Sequence, residues 1–281
     1  MTAHGFSQVD VFSTDAHRGN PVAVVHDAEE LTDEQMAAFA RWTNLSETTF
    51  LLPATDPQAD YKLRIFTPGG ELPFAGHPTL GSAHAWLEAG GEAPGANAVI
   101  QECGVGLVPL RRGVDGLAFA APPLLRSGPL DDDLLRRLMS ALDLERTQVL
   151  DHHWVDNGPG WCALLLDSAQ TVLKLRPAVQ ALGDSVLGLV GAHPSSADAD
   201  FEVRAFVPSM GVPEDPVTGS LNAGLAQWLI SAGHAPVRYT AAQGTVLGRT
   251  GRVHIERDAD TIWIGGATRT VVRGDVRFPS N

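Results

Sequence analysis

The chain contains the same passage twice. "LRIFTPGGELP" at residues 63–73 aligns with "VRAFVPSMGVP" at 203–213, matching Arg64 to Arg204, Phe66 to Phe206, Pro68 to Pro208 and Pro73 to Pro213. The offset is 140 residues, about half of the 281-residue chain. After a two-residue deletion, "HPTLGSAHAWL" aligns with "DPVTGSLNAGL", matching Pro78 to Pro216, Gly81 to Gly219 and Ser82 to Ser220 and setting His77 opposite Asp215. Repetition on this scale restricts the fold to two similar halves.

Each copy reads as strand, loop, helix. "YKLRIFTP" and "FEVRAFVP" alternate as strands do, and Pro68 and Pro208 end the pairing because proline has no N–H to donate. Pro78 and Pro216 suit the first position of a helix, where the missing N–H has no partner anyway. The small residues that follow, mixed with Leu and Trp, predict buried helices that stop at glycine. Short β segments surround both. "LTDEQMAAFARWTN" predicts a further helix, with Thr32 and Gln35 as a capping box and Met36, Phe39 and Ala40 on one face. "DDDLLRRLMSALD" predicts another, with three acids at its positive end. The expected fold is α+β: two pseudo-symmetric halves, each a curved mixed β-sheet wrapped around a central buried helix. The expected division is 1–122 and 123–281, with room for the C-terminal segment to cross over.

Bulk properties narrow the partners. A net charge of -13 argues against nucleic acid, which requires a basic stripe. The start, "MTAHGFSQVDVF", lacks the basic and apolar regions of a leader, and no apolar run approaches the 18 or so residues of a membrane helix. A cytoplasmic protein without membrane partners is expected. Cys103 and Cys162 are too few for a disulfide framework and too isolated for a zinc site, and read as small buried hydrophobes.

A pseudo-two-fold relation between the halves would bring both helix starts to one interdomain cleft. Helix N-termini carry orphan N–H groups and partial positive charge, so the pair suits a carboxylate ligand, with Gly76, Gly81 and Gly219 permitting close approach and Ser220 adding a hydroxyl. Helix initiation alone is the competing account. Glu47, in "NLSETTFLL", stands between a helix end and an apolar strand, where partial burial would fit it for proton transfer. Equally, Ser46 and Glu47 could cap local structure, His77 could be a core histidine and Asp215 a helix cap. Glu71 and Glu214 read as structural or solvated.

"GNPVAVV" (19–25), "NLSETTF" (44–50), "RIFTPGGELPFAGHPTLG" (64–81) and "EDPVTGS" (214–220) together resemble the successive signatures of the PhzF-like phenazine-biosynthesis family. The resemblance implies a diaminopimelate epimerase-like fold, an interdomain active site, a homodimer, and no cofactor or metal. It makes Glu47 the proton-transferring residue and His77 and Asp215 substrate contacts, and it assigns the substrate carboxylate to Gly76, Gly219 and Ser220. The implied function is a cofactor-independent isomerase that moves a proton on a small cyclic or amino-bearing carboxylic acid. Alternatives are a catalytically silent small-acid-binding or scaffold protein, and an amino-acid racemase or epimerase. Two-thiol racemization is disfavoured because neither cysteine lies in a helix-start motif. A metal hydrolase built on Glu47, His77, His84 and Asp215 lacks a helical ligand pair. Where many members read "TGSAH" this chain has "TGSLN", so Leu221 and Asn222 are expected to reshape the pocket floor.

Overall fold

Short alternating segments of the first half become strands in an order that the chain then repeats. The computed structural model describes residues 1–93, 95, 98–113, 116–208 and 213–279. β1 (Thr2–Val11) runs antiparallel to β2 (Asn20–Val25), and β2 lies parallel to β3 (Thr48–Leu52) after the crossover helix α1 (Asp33–Thr43). β3 is antiparallel to β4 (Tyr61–Thr67), and β5 (Gly70–Leu72) folds back on β4. The helix α2 (Gly76–Glu88) then carries the chain to β6 (Ala98–Cys103), parallel to β4, and β7 (Gly106–Gly113) and β8 (Gly116–Ala120) continue antiparallel.

With the segment from Gly265 onward, these elements form the first of two compact units. α2 contacts β1, β2, β3, β4, β6 and β8, so the sheet curves around it. Its approach depends on Gly81: a Cβ there would lie 2.4 Å from Val22 Cγ1. On the outside, α1 begins at the predicted capping box, with Gln35 N donating to Thr32 Oγ1 and Thr32 N donating to Gln35 Oε1. Met36 and Ala40 face a core that includes Val25, Phe50, Phe66 and Phe278.

The second unit, Ala121–Ile264, repeats the pairing sequence. β9 (Arg126–Gly128) and α3 (Asp132–Leu142) precede β10 (Val149–Asp156), which is antiparallel to β11 (Trp161–Leu166). After α4 (Ala169–Lys174), β12 (Val186–Ala192) lies parallel to β11 and antiparallel to β13 (Phe201–Phe206). β14 (Glu214–Asp215) folds back on β13, and α5 (Gly219–Ser231) leads to β15 (Arg238–Gln243), parallel to β13. β16 (Gly251–Asp258) is antiparallel to β15 and leads to β17 (Thr261–Gly266). Both units therefore run antiparallel, parallel, antiparallel, parallel, antiparallel through their first six main strands. α5 is buried as α2 is, and its Gly224 plays the part of Gly81, since a Cβ there would lie 2.2 Å from Val155 O. The last strand, β18 (Thr268–Phe278), flanks β1 in the first unit as β9 flanks β10 in the second.

Several expectations need adjustment. The units divide after Ala120 rather than after residue 122, while the segment from Gly265 onward joins the first unit, a crossover for which the expected division left room. α2 starts at Gly76, so Pro78 is its third residue; the first turn still tolerates it because N–H groups there lack intrahelical acceptors. Pro216 lies ahead of the N-cap Thr218 and is not in α5. β10 and α4 carry no clear sequence pattern. "VLDHHWVD" is mostly half-buried rather than alternating, and α4 has only six residues, capped by Ser168.

The register of the repeat also differs. Arg64 Nε and Nη2 donate to Glu71 Oε1 and Oε2 at 2.8 and 2.7 Å, and Arg204 makes the same fork to Glu214 at 2.9 and 2.8 Å. Each guanidinium lies over the phenylalanine two residues on, 5.0 Å from Phe66 and 4.8 Å from Phe206. Glu71 thus corresponds to Glu214, Gly76 to Gly219 and Gly81 to Gly224, an offset of 143 residues. The inserted residues fall in the loop after β13, whose residues 209–212, the "SMGV" of the second copy, lie outside the described residues. His77 corresponds to Ser220, and Asp215 to Leu72, so the two helices match from their first residues onward.

Candidate active site

In the first unit, α1 ends on Asn44 in the left-handed region, φ 55°, and a short turn delivers Glu47 just before β3. Thr43 Oγ1 and Thr48 Oγ1, 2.8 Å apart, clamp that turn. Gly19 sits where a Cβ would strike Val11 O at 2.2 Å, and Asp10 Oδ2 accepts from the N–H groups of Arg18 and Gly19, so the chain enters β2 with Asn20 in place. His77, second residue of α2, lies against both segments. Its Nε2 is 3.2 Å from Glu47 Oε2, and its Nδ1 is 3.4 Å from Asn20 Nδ2. The first contact is close but lacks the alignment of a hydrogen bond.

Burial sets the charge of the histidine. The His77 side chain is 5% exposed and that of Glu47 15%. Desolvation pushes the His77 imidazole down to about 3, against a smaller opposing effect of a hydrogen bond with the Pro21 backbone. At neutral pH the contact is therefore a carboxyl group beside a neutral imidazole, despite its ion-pair distance.

In the second unit, Asp215 ends β14 and Thr218 is the N-cap residue of α5. Thr218 Oγ1 donates to Asp215 Oδ2 at 2.5 Å. Gln243, at the end of β15 and fully buried, accepts from Thr218 N at 3.0 Å and Asn222 Nδ2 at 2.9 Å, and donates to Thr218 Oγ1 at 2.9 Å and the Asp215 carbonyl at 3.2 Å. Ser220 Oγ accepts from Trp161 Nε1 at 3.1 Å, which leaves its own O–H able to donate. Leu221 packs into a gap left by Gly188 on β12, where a Cβ would meet Leu221 Cδ1 at 2.4 Å.

The helix starts themselves are distinctive. α1, α3 and α4 are capped by the side chains of Thr32, Asp131 and Ser168, whereas α2 and α5 have no side-chain cap. At α2 the N-cap residue is Ala75; at α5 it is Thr218, whose hydroxyl is turned to Asp215 instead.

Of the predicted residues, Glu47, Gly76 and His77 come together in the first unit, and Asp215, Gly219 and Ser220 in the second. Sequence reasoning missed Asn20, Thr218 and Gln243; only "GNP" and "TGS" hinted at the first two. Glu71 and Glu214 are structural, as read. Cys103 and Cys162 are buried, and burial raises both thiols, Cys162 to about 12, so neither is a ready nucleophile. A cavity of about 730 Å³ in the first unit, bounded by Ser7, His26, Trp86 and Arg273 among others, holds none of the predicted site residues. No helix among the described residues is long and apolar enough to cross a membrane.

The family model described as phenazine biosynthesis-like protein, PhzC-PhzF, matches residues 9–275. The chain belongs to this family. Antisense-enhancing sequence 1 of Schizosaccharomyces pombe is 37% identical over 98% of this chain and 99% of its own. Trans-2,3-dihydro-3-hydroxyanthranilate isomerase of Pseudomonas aeruginosa is 34% identical over 89% of each chain. Among solved structures, a PhzF family protein of Enterococcus faecalis superposes with a TM-score of 0.82 at 25% identity, covering 99% of this chain and 100% of that one. The family assignment makes this PhzF-like chain an isomerase.

Proposed function

We propose that the chain catalyses a cofactor-independent proton shift on a small cyclic or amino-bearing carboxylic acid, of the kind named for the Pseudomonas aeruginosa relative. The observation that carries this reading is the Glu47–His77 contact, 3.2 Å long and largely shielded from water, at the uncapped start of α2. Glu47 removes a proton from an acidic carbon and returns it elsewhere on the same face. A neutral His77 can act as one hydrogen-bond donor and one acceptor beside Glu47 without adding a cation to the site. Such acid–base transfer contributes about 10²–10⁴-fold, and substrate positioning must supply much of the remainder. In each unit the N–H groups at the helix start, near Gly76 in the first and near Gly219 with the Ser220 hydroxyl in the second, are donors suited to a carboxylate. Asp215, being acidic, takes the amine or hydroxyl of the substrate instead.

The test is Glu47→Gln assayed with trans-2,3-dihydro-3-hydroxyanthranilate and related amino-bearing cyclic acids. Turnover should disappear while ligand affinity stays near wild type, since the amide keeps the shape and loses the proton carrier. Wild-type rates in the variant would refute the role of Glu47. Binding without turnover in the wild-type protein across the panel would favour a silent binding protein.

A further inference from the structure

We propose that Gln243 is a positioning residue that sets both the orientation and the hydrogen-bond polarity of Asp215, acting through Thr218. The proposal rests on the reading of Asp215 as the contact for a substrate amine or hydroxyl.

Proton counting fixes the direction of each hydrogen bond around Gln243. A glutamine side chain has two N–H donors and two acceptor lone pairs, and Gln243 uses all four. Two partners have fixed polarity: the Thr218 backbone N–H only donates, and the Asp215 carbonyl only accepts. These settle the amide orientation, because a flipped Gln243 would face Thr218 N–H with its own donors and the Asp215 carbonyl with its own oxygen. Nε2 therefore donates to Thr218 Oγ1, and the single hydroxyl proton of Thr218 goes to Asp215 Oδ2. The relay runs one way, from Gln243 through Thr218 to Asp215, and it favours Asp215 as an accepting carboxylate. It also explains why the N-cap threonine of α5 does not cap its own helix.

The same relay reaches Asn222, the fourth residue of α5. Asn222 Nδ2 donates to Gln243 Oε1 and to the Thr218 carbonyl. In the first unit a buried Gln101 likewise ties the fourth residue of its helix, donating to Thr79 Oγ1 at 3.1 Å, but it also accepts from the core residue Tyr61 at 3.0 Å. A buried glutamine beside the helix is thus common to both units; the link onward to a site carboxylate belongs to the second.

The experiment compares two probes calorimetrically, 3-hydroxyanthranilate and 3-hydroxybenzoate, which differ by the amine. The wild type should prefer the amino-bearing acid by about 10-fold or more, the scale of a hydrogen bond to a charged group. Gln243→Glu, which loses the donor to Thr218, and Thr218→Val, which loses the hydroxyl, should each reduce that preference to within about 3-fold, and Thr218→Ser should restore it. A purely structural role would weaken both probes alike and leave the ratio intact. Asp215→Asn separates the two ideas. If it collapses the preference while Gln243→Glu and Thr218→Val keep it, the positioning role is overturned and the reading of Asp215 stands. If the wild type or Asp215→Asn shows that the preference does not depend on Asp215, both fall. Crystal structures of Thr218→Val and Gln243→Glu decide the point without a ligand: the Asp215 carboxylate should leave its present orientation, and an unmoved carboxylate in both would refute the relay.

Discussion

The repeated arginine–glutamate fork provides its own control, because the two copies differ mainly in burial. Arg204 and Glu214 are 4% and 8% exposed at their side chains, Arg64 and Glu71 21% and 42%. Glu214→Ala leaves a guanidinium inside the second unit whose remaining partners, among the described residues, are the carbonyls of Val172 and Leu175 and the face of Phe206. Removing one partner of a buried pair costs about 3–5 kcal/mol, and the two carbonyl bonds put the expected loss near the lower end, about 3 kcal/mol. Glu71→Ala frees an arginine that water and Asp33 can still reach, and should cost about 0.2–1 kcal/mol. Urea unfolding midpoints at matched slopes measure both, with fluorescence and circular dichroism required to coincide before one transition is assumed. Glu214 precedes Asp215 on β14, so its loss should also weaken amino-bearing ligands. Equal costs for the two alanine variants, or a larger one for Glu71, would refute the reasoning from burial.

Burial also fixes a pH window. The pKa of His77, about 3 in the folded chain, lies below its unfolded value near 6.5, so its share of stability is intact above about pH 6.5 and is lost as pH falls toward 3, where the unfolded chain binds the extra proton. The share amounts to roughly 3–6 kcal/mol when complete, and a His77→Gln protein should show a flatter profile of unfolding midpoint against pH; parallel profiles would count against it. Ser220→Ala should weaken carboxylate ligands by about 1.5–3 kcal/mol, measured by titration, and should leave ligands without a carboxylate unaffected. Cys103→Ser with Cys162→Ser should retain turnover; inactivation of the wild type at a substrate-protected thiol would revive racemase chemistry.

Much of this was legible locally. The capping box of α1 needs only Thr32 and Gln35, three residues apart; Glu47 and His77 were singled out by the family resemblance of their motifs, since capping and a core histidine accounted for them equally well as local sequence. The register of the repeat was not legible. The matching "GS" at 81–82 and 219–220 drew the sequence alignment five residues from the structural one, because residue identity weighs more in a string than the helix starts and arginine forks that determine equivalence in space. Gln243 was invisible for a related reason: it is 25 residues from Thr218, and only the parallel pairing of β15 with β13 brings the strand beside the start of α5.

The sequence by itself determined that there would be two similar halves, each with a buried helix, because periodicity, small residues and turn chemistry act over a few positions. The tertiary structure alone decided which donors those helices leave uncapped and which way the protons point around Asp215. Those outcomes depend on polar groups that meet only after the strands have paired, where burial makes an unpaired polar group costly.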